Sequence, residues 1–230
     1  MLVMTYNIRG GLGIDGRRSL ARVAEVIRRS RVDVACLQEV ERKLPRSRFV
    51  DQPKWLSERL GMEQVFQQNL GVGPLGFGNL VLTRFPILRT AFYPLSSQGE
   101  QRGLLEVGIA APVGQLAVFC THWGLDADER VVQAEETAAR IKAVQPPALL
   151  CGDLNDSENS RSLAVLLSAA ELHDLAQEAG TAEPTFPANA PSVRIDYVLG
   201  TVSVRGVSAA VLETPASDHR PVVVDVDVSI

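Results

Sequence analysis

The sequence has no apolar run approaching the ~20 residues that a membrane-spanning helix requires. Its N-terminus lacks the basic flank and apolar stretch that form a secretory signal peptide. Cysteine is scarce: Cys36, Cys120 and Cys151 each lie inside an apolar, strand-like run, and their spacing is not that of a zinc site. We therefore expect a cytoplasmic protein with no transmembrane segment, whose cysteines are reduced core residues.

Positive charge is also in the minority, with 23 Lys and Arg against 27 Asp and Glu and a net charge of −4. This balance argues against a protein that coats nucleic acid nonspecifically, although it leaves room for a local basic cleft. The 230 residues are 46% hydrophobic and 22% charged, which is enough to bury a substantial core. No shift in composition marks a linker, so we predict a single domain over residues 1–230.

Short apolar runs alternate with segments of helical periodicity. We predict helices that begin near Arg18 and Asp51 and two more around residues 131–141 and 163–167, the third being stopped by Pro146-Pro147. The predicted strands cover residues 1–6, 32–37, 79–83, 87–93, 103–109, 115–120, 148–151, 193–199 and 222–228. Gln68 to Gly78 contains four glycines and a proline, and we expect a mobile loop there. Many strands with about four helices suggest two stacked sheets with helices packed outside.

The most informative stretch follows the apolar run Ala148–Cys151. The strand is expected to break at Gly152 and to deliver Asp153 and Asn155, which point the same way in an extended chain. A carboxylate beside a carboxamide binds a hard cation or a phosphate oxygen well. The same residues are also ordinary turn formers. Whether they form a binding site or only a turn depends on the other polar residues of the chain.

Polar residues recur at or near the ends of other apolar strands. Asn7, Glu39 and His122 follow predicted strands, Arg102 precedes one, and Asp196 lies within one. Asp218 and His219 come just before the last strand. Each of them alone has a structural explanation, but so many polar strand ends are hard to attribute to chance. His173, the remaining histidine, lacks such a context, and we expect it to be structural or exposed.

Six short motifs occur in a fixed order along the chain. They are Thr5-Tyr6-Asn7-Ile8, Leu37-Gln38-Glu39-Val40, Thr121-His122-Trp123, Gly152-Asp153-Leu154-Asn155, Arg194-Ile195-Asp196-Tyr197 and Ser217-Asp218-His219-Arg220-Pro221. Together they resemble the endonuclease/exonuclease/phosphatase superfamily, which is also called DNase I-like. The resemblance covers Tyr6 to Pro221, and it implies a four-layer α/β sandwich with two mixed sheets face to face.

The resemblance also implies a role for each residue. Glu39 would be the main Mg²⁺ ligand, with Asn7 and Asp218 close by and with Mn²⁺ as a substitute cation. Asp153 and Asn155 would orient the attacking water and the scissile phosphate. His122 and Arg102 would hold phosphate oxygens, where charge gathers in the transition state.

Asp196 and His219 would form a carboxylate–imidazole pair in which the carboxylate fixes the tautomer of the ring. The proton acceptor for the water is left open between His219 and Asp153. The implied activity is a Mg²⁺-dependent phosphoesterase, and we favour a phosphodiesterase that acts by in-line attack of an activated water.

Two alternatives stay open at this stage. A DNA or RNA nuclease is favoured by arginines around the first and second motifs and disfavoured by the acidic composition. These basic residues are Arg9, Arg17, Arg18, Arg42, Lys43, Arg46 and Arg48. A catalytically inactive interaction module is the other alternative, although binding alone does not need the full set of polar residues. The uncharged stretch Gln68 to Gly78 favours a small or head-group diester over a nucleic-acid strand, and no pattern implies a protein partner.

Overall fold

Two six-stranded sheets form the centre of the computed structural model, which describes residues 1–145 and 147–229. The strands are β1 (Leu2–Asn7), β2 (Val34–Arg42), β3 (Glu63–Val72), β4 (Leu75–Thr83), β5 (Ile87–Leu95), β6 (Arg102–Ala111), β7 (Gly114–His122), β8 (Ala148–Asp153), β9 (Leu172–Asp174), β10 (Asp196–Thr201), β11 (Val204–Val211) and β12 (Val222–Val228). The helices are α1 (Leu20–Ser30), α2 (Gln52–Leu60), α3 (Ala127–Lys142), α4 (Arg161–Ala170) and α5 (Leu175–Glu178).

The first sheet has the strand order β11-β12-β1-β2-β4-β3 and the second has the order β5-β6-β7-β8-β10-β9. Each sheet contains one parallel pair, β1 with β2 in the first and β7 with β8 in the second, and the other neighbours are antiparallel. Both parallel pairs are central, so each of their strands is covered on both faces. This explains why they read as nearly continuous apolar runs in the sequence.

Alternate residues of each central strand enter different cores. Val3 of β1 packs between the two sheets, whereas Met4 packs against α1 and α2 on the outer face of the first sheet. On the other side, Phe119 and Leu150 pack against α3 and α4. The order of layers is therefore helices, sheet, sheet, helices, which confirms the predicted four-layer α/β sandwich. No helix within the two described ranges combines the length and apolarity needed to cross a membrane.

Local signals explain where several helices begin and end. The Asp51 carboxylate accepts a hydrogen bond from Lys54 N at 3.3 Å, Pro53 lies in the first turn of α2, and Gly61 ends the helix at φ 63°. Ser160 Oγ accepts from Leu163 N at 3.3 Å and caps α4. The predicted stop of α3 at Pro146 lies outside the described residues.

The predicted mobile loop from Gln68 to Gly78 is wrong. These residues form the end of β3, a tight turn at Gly73-Pro74 and the start of β4. The glycines allow close backbone contact rather than mobility: a Cβ on Gly71 would lie 1.9 Å from Leu75 O, and one on Gly78 would lie 2.0 Å from Gln67 O. The segment is therefore an ordered hairpin beside β2.

Other strand limits also differ from the predicted ones. β2 continues past Leu37 to Arg42, so Glu39 lies inside the strand rather than beyond its end. β8 continues through Gly152 and includes Asp153, and β10 begins only at Asp196. The structure adds β9, β11 and the short helix α5, for which we had no prediction.

Candidate active site

Three strands of the two sheets end side by side and bring their last residues together. Asn7 ends β1, His122 ends β7 and Asp153 ends β8, because each parallel pair points its C-terminal ends the same way. Asn7 Nδ2 donates to Asp153 Oδ2 at 3.0 Å. This hydrogen bond joins the two sheets at the edge where the other predicted residues also gather.

Glu39 reaches the same edge through an irregularity in β2. The pairing of β2 with β4 shifts between Leu37 and Val40, and Glu39 has a φ of 56°. A bulge of this kind turns a side chain away from its normal alternation, and left-handed φ values in residues other than glycine concentrate at functional sites. As a result, Glu39 Oε1 accepts from Asn7 Nδ2 at 2.9 Å.

Asp153 is the centre of the cluster, although it is only 1% exposed. Its Oδ1 accepts from the backbone N of Asn155 at 3.0 Å. Its Oδ2 accepts from Asn7 and lies 3.4 Å from His122 Nε2 and 3.6 Å from His219 Nε2. One carboxylate therefore faces an amide and two imidazoles, contributed from both sheets.

Asp196 and His219 form a buried pair. His219 Nδ1 lies 3.0 Å from Asp196 Oδ2 and 3.3 Å from Oδ1, and Asp196 is fully buried. Burial alone would lower the pKa of His219, but the charges of Asp196 and Asp153 and the hydrogen bond to Asp196 raise this pKa to about 10. With Nδ1 directed at Asp196, the ring points Nε2 toward Asp153.

His122 has the opposite electrostatic environment. Burial lowers the pKa of His122 to about 4, and the charge of Arg102 adds to this effect while Asp153 opposes it. Arg102 Nη1 lies 3.2 Å from His122 Nδ1, and a guanidinium can only donate. We therefore assign the ring proton to Nε2, where it faces Asp153. Arg102 is held on its other side by Glu100, 3.2 Å from Nη2.

Asn155 is fixed by its backbone conformation and by its amide. Its φ is 49°, its N donates to Asp153, and its Nδ2 donates to Trp123 O at 2.9 Å. Arg130 supports both neighbouring loops, because it donates to Leu125 O at 2.7 Å and to Asp156 Oδ2 at 2.8 Å. The side chain of Asn155 is thereby oriented at the end of β8.

Asp218 lies at the more exposed side of the cluster. Arg9 Nε is 3.2 Å from its Oδ2, and Ser217 Oγ donates to Asn7 O at 2.7 Å, which ties this loop to the end of β1. His173, in contrast, pairs with Glu178 at 3.2 Å and stays half-exposed outside the cluster.

Three carboxylates, of Glu39, Asp153 and Asp218, lie near one another on one side of the cluster. Burial raises the pKa of Glu39, and the charges of Asp153 and Asp218 raise it further, while the hydrogen bond from Asn7 and the charge of His219 act against this. A cation bound beside this half-buried carboxylate would favour its charged form and so oppose the rise of the pKa. The donors Asn7, Glu39 and Asp218 all offer oxygen, which suits Mg²⁺ or Mn²⁺.

A second grouping of possible metal ligands consists of Asp153, Asp196 and His219, whose ligand atoms lie within 4.8 Å of one another. In this grouping Asp196 already accepts from His219. The grouping around Glu39 offers only oxygen atoms, so it suits a hard cation better than a grouping that includes an imidazole nitrogen.

Sequence reasoning missed one residue that contacts the cluster and one that links the two sheets. The ring of Phe186 packs on His219 with 4.8 Å between the centroids, but Phe186 belongs to no motif. Asn79 lies on β4 and donates from Nδ2 to Gly103 O at 3.0 Å, which links the two sheets. A polar residue in the middle of an apolar strand was the available signal for Asn79.

Known proteins resemble this chain along most of its length. Residues 4–219 match the model of the Endonuclease/Exonuclease/phosphatase family. The uncharacterized protein YbhP of Escherichia coli K12 is 29% identical over 236 residues, which cover 95% of this chain and 93% of YbhP.

Two solved structures show the same fold. An endonuclease/exonuclease/phosphatase from Beutenbergia cavernae has a TM-score of 0.85 and 27% identity, covering 99% of this chain and 71% of that chain. A mannosyl-6-phosphatase from Bacteroides thetaiotaomicron has a TM-score of 0.83 and 21% identity, and the match covers 99% of both chains. At this identity the second likeness concerns the fold alone.

Proposed function

Because this chain belongs to the endonuclease/exonuclease/phosphatase family, we propose that it is a Mg²⁺-dependent phosphoesterase that hydrolyses a phosphodiester with an activated water. The observation that carries the proposal is the meeting of Asn7, Glu39 and Asp153 in one hydrogen-bonded group with two histidines beside it. Such a group offers oxygen ligands, hydrogen-bond donors and proton acceptors within one small volume.

The cation would be held by Glu39, Asn7 and Asp218. When bound, it would supply positive charge to the phosphate oxygens and to the leaving oxygen. Mn²⁺ would substitute, since it accepts the same oxygen donors. Binding would compensate the carboxylate charges that raise the pKa of Glu39.

The remaining residues would position the reactants. The water would lie near Asp153 Oδ2 and His219 Nε2, which are 3.6 Å apart. Asp153 would accept the proton while the His219 ring is charged, and His219 Nε2 would accept it only when the ring is neutral, which its raised pKa disfavours. Asp196 would keep His219 oriented by its hydrogen bond to Nδ1. His122, Arg102 and Asn155 would donate hydrogen bonds to phosphate oxygens and stabilise charge in the transition state.

A panel of phosphoesters tests this function. Bis(4-nitrophenyl) phosphate, 4-nitrophenyl phosphate, choline phosphodiesters, DNA and RNA would be assayed with Mg²⁺, with Mn²⁺ and with EDTA. We expect metal-dependent release from at least one diester by the wild-type protein, and no release by Asp153→Asn purified in parallel. Equal turnover by both proteins would contradict the assignment, and a preference for monoesters alone would contradict the choice of a diester.

A further inference from the structure

A hollow of about 450 Å³ is lined by residues of the segments that follow β1 and β2 in the chain. Gly10, Arg18, Arg46, Arg48, Val50 and Gln52 are among the residues that line it. Gly10 connects the hollow to the cluster, because it directly follows Arg9, whose backbone N donates to Asn7 Oδ1 at 3.1 Å. Three residues span at most about 11 Å of extended chain, so one compact molecule can reach both Asn7 and Gly10.

Positive charge in the hollow exceeds negative charge. Arg46 Nε lies 2.6 Å and Arg18 Nη1 lies 3.4 Å from the same atom, Glu41 Oε1, and Glu41 is only 1% exposed. The buried carboxylate of Glu41 thus forms ion pairs with two guanidinium groups. Arg48 also lines the hollow, and no carboxylate in the described part of the chain forms an ion pair with it. The balance of these four residues is two positive charges.

Two of the arginines, Arg18 and Arg46, are held in place by further contacts. Arg18 Nη1 and Gln52 Nε2 both donate to Gly10 O, at 3.0 Å and 2.9 Å. The guanidinium of Arg46 lies 5.5 Å from the centre of the Phe77 ring, on the hairpin that the sequence suggested was a loop. Gly10 is required here, because its φ is 56° and a Cβ would lie 2.3 Å from Glu41 Oε1. Fixed donors lose little conformational freedom when an anion binds.

We propose that this hollow binds a second phosphate-type group of the substrate, while the phosphoester to be cleaved lies at Asp153. The proposal rests on the function proposed above and specifies its substrate class: a compact organic phosphoester with a second anionic group. Guanidinium groups bind phosphate through paired hydrogen bonds, which a fixed arginine provides at low cost. Leu12, Leu20 and Val50 also line the hollow and favour a small organic molecule.

Binding of non-hydrolysable ligands tests the proposal without depending on turnover. Calorimetry would compare alkane-α,ω-bisphosphonates with chains of about three to eight carbons against the matching monophosphonates, in buffer with Mg²⁺. We expect one chain length to bind at least roughly tenfold more tightly than its monophosphonate, because one charge-assisted contact is worth that much. Absence of a gain at every chain length would overturn the proposal.

Variants test whether the tighter binding of the bisphosphonate depends on the arginines of the hollow. Arg48→Gln is the main variant, since Arg48 holds no internal ion pair, and Arg46→Lys keeps the charge but removes the paired donors. Both should reduce the bisphosphonate gain, whereas Arg205→Gln, an exposed arginine on β11, should keep it. If the double variant Arg48→Gln/Arg46→Lys still binds the bisphosphonate more tightly than the monophosphonate, the second anionic group does not bind in this hollow.

Two further outcomes distinguish the second anion site from the proposed hydrolysis and from nucleic-acid binding. If no phosphoester is hydrolysed but the arginine-dependent gain is present, the proposed function fails and the second anion site stands. If oligonucleotides bind more tightly than any bisphosphonate, with a steep salt dependence that Arg48→Gln reduces, the hollow contacts a nucleic-acid backbone and the small-substrate proposal is overturned.

Discussion

The pair formed by Asp196 and His219 gives the sharpest prediction about the mechanism. Asp196→Asn keeps the size of the side chain but removes the negative charge 3.0 Å from His219 Nδ1. A hydrogen bond to a charged group is worth about 1.5–3 kcal/mol, and each 1.36 kcal/mol changes a rate tenfold. Loss of orientation alone should therefore lower kcat by roughly ten- to a hundredfold. An amide that selects the other tautomer would lower it further, as in the serine-protease triad, where the same change costs about 10⁴-fold.

Steady-state kinetics on the best substrate of the panel would measure this effect. The wild type, Asp196→Asn, His219→Ala and the double variant form a cycle, and we expect KM to stay within about threefold for Asp196→Asn. The double variant should be no more than about threefold slower than the slower single variant, because Asp196 acts only through His219. A double variant whose fall in kcat equals the product of the two single falls would refute the coupling of Asp196 to His219.

Two controls accompany the cycle. Asp227→Asn makes the same chemical change at an exposed position of β12, and it should leave kcat unchanged. Because Asp196 is fully buried, circular dichroism and thermal unfolding must show that its variant is folded. A rise in KM with unchanged kcat would also contradict the reasoning, since it would place Asp196 in substrate binding.

Three further predictions concern stability and binding. Burial opposes the raised pKa of His219 but the charges of Asp196 and Asp153 prevail, so this pKa, about 10, exceeds the ordinary value of about 6.5. The resulting stabilisation of the folded state is fully present below about pH 6.5 and is lost as the pH rises toward 10. In EDTA, the melting temperature of the wild type should therefore fall more over this pH range than that of His219→Ala. Parallel melting curves of the two proteins would contradict this. Gly78→Ala would place a Cβ 2.0 Å from Gln67 O and should cost about 1–3 kcal/mol in urea unfolding, whereas Gly99→Ala, with open space around it, should cost less; equal costs would refute the role of close contact in the hairpin. Duplex DNA should bind weakly, and phosphoester turnover should fall only modestly from low to physiological salt; nanomolar binding with a steep salt slope would favour the nuclease alternative.

Local signals made some elements predictable from the sequence. The cap at Asp51, Pro53 and the left-handed Gly61 define α2 without reference to the rest of the chain. The central strands were predictable because both of their faces are buried, which leaves continuous apolar runs. The order of the six motifs pointed to the residues that the structure brings together, from Asn7 to His219. Their chemical roles, the single domain and the cytoplasmic location stay predictions.

Features that depend on distant partners were not predictable in this way. Glycines between Gln68 and Gly78 indicate flexibility when only the sequence is considered, but their backbones meet Gln67 O and Leu75 O across the hairpin. The bulge that turns Glu39 toward Asn7 depends on pairing with β4. The two arginines that share Glu41 come from segments 28 residues apart. Each of these features is set by tertiary pairing, which no short window of sequence contains.

Metal-dependent turnover by the wild type and by Glu39→Gln tests the central claim most directly. Glu39→Gln keeps the shape of the side chain and the fold but removes the charge that a hard cation needs. We predict that the wild type hydrolyses a phosphodiester with Mg²⁺, loses this activity in EDTA and regains it when Mg²⁺ is restored. Glu39→Gln should be slower by orders of magnitude at every Mg²⁺ concentration, while Glu58→Gln, an exposed change on α2, should match the wild type. Full turnover in EDTA, or undiminished turnover by Glu39→Gln, would contradict the account.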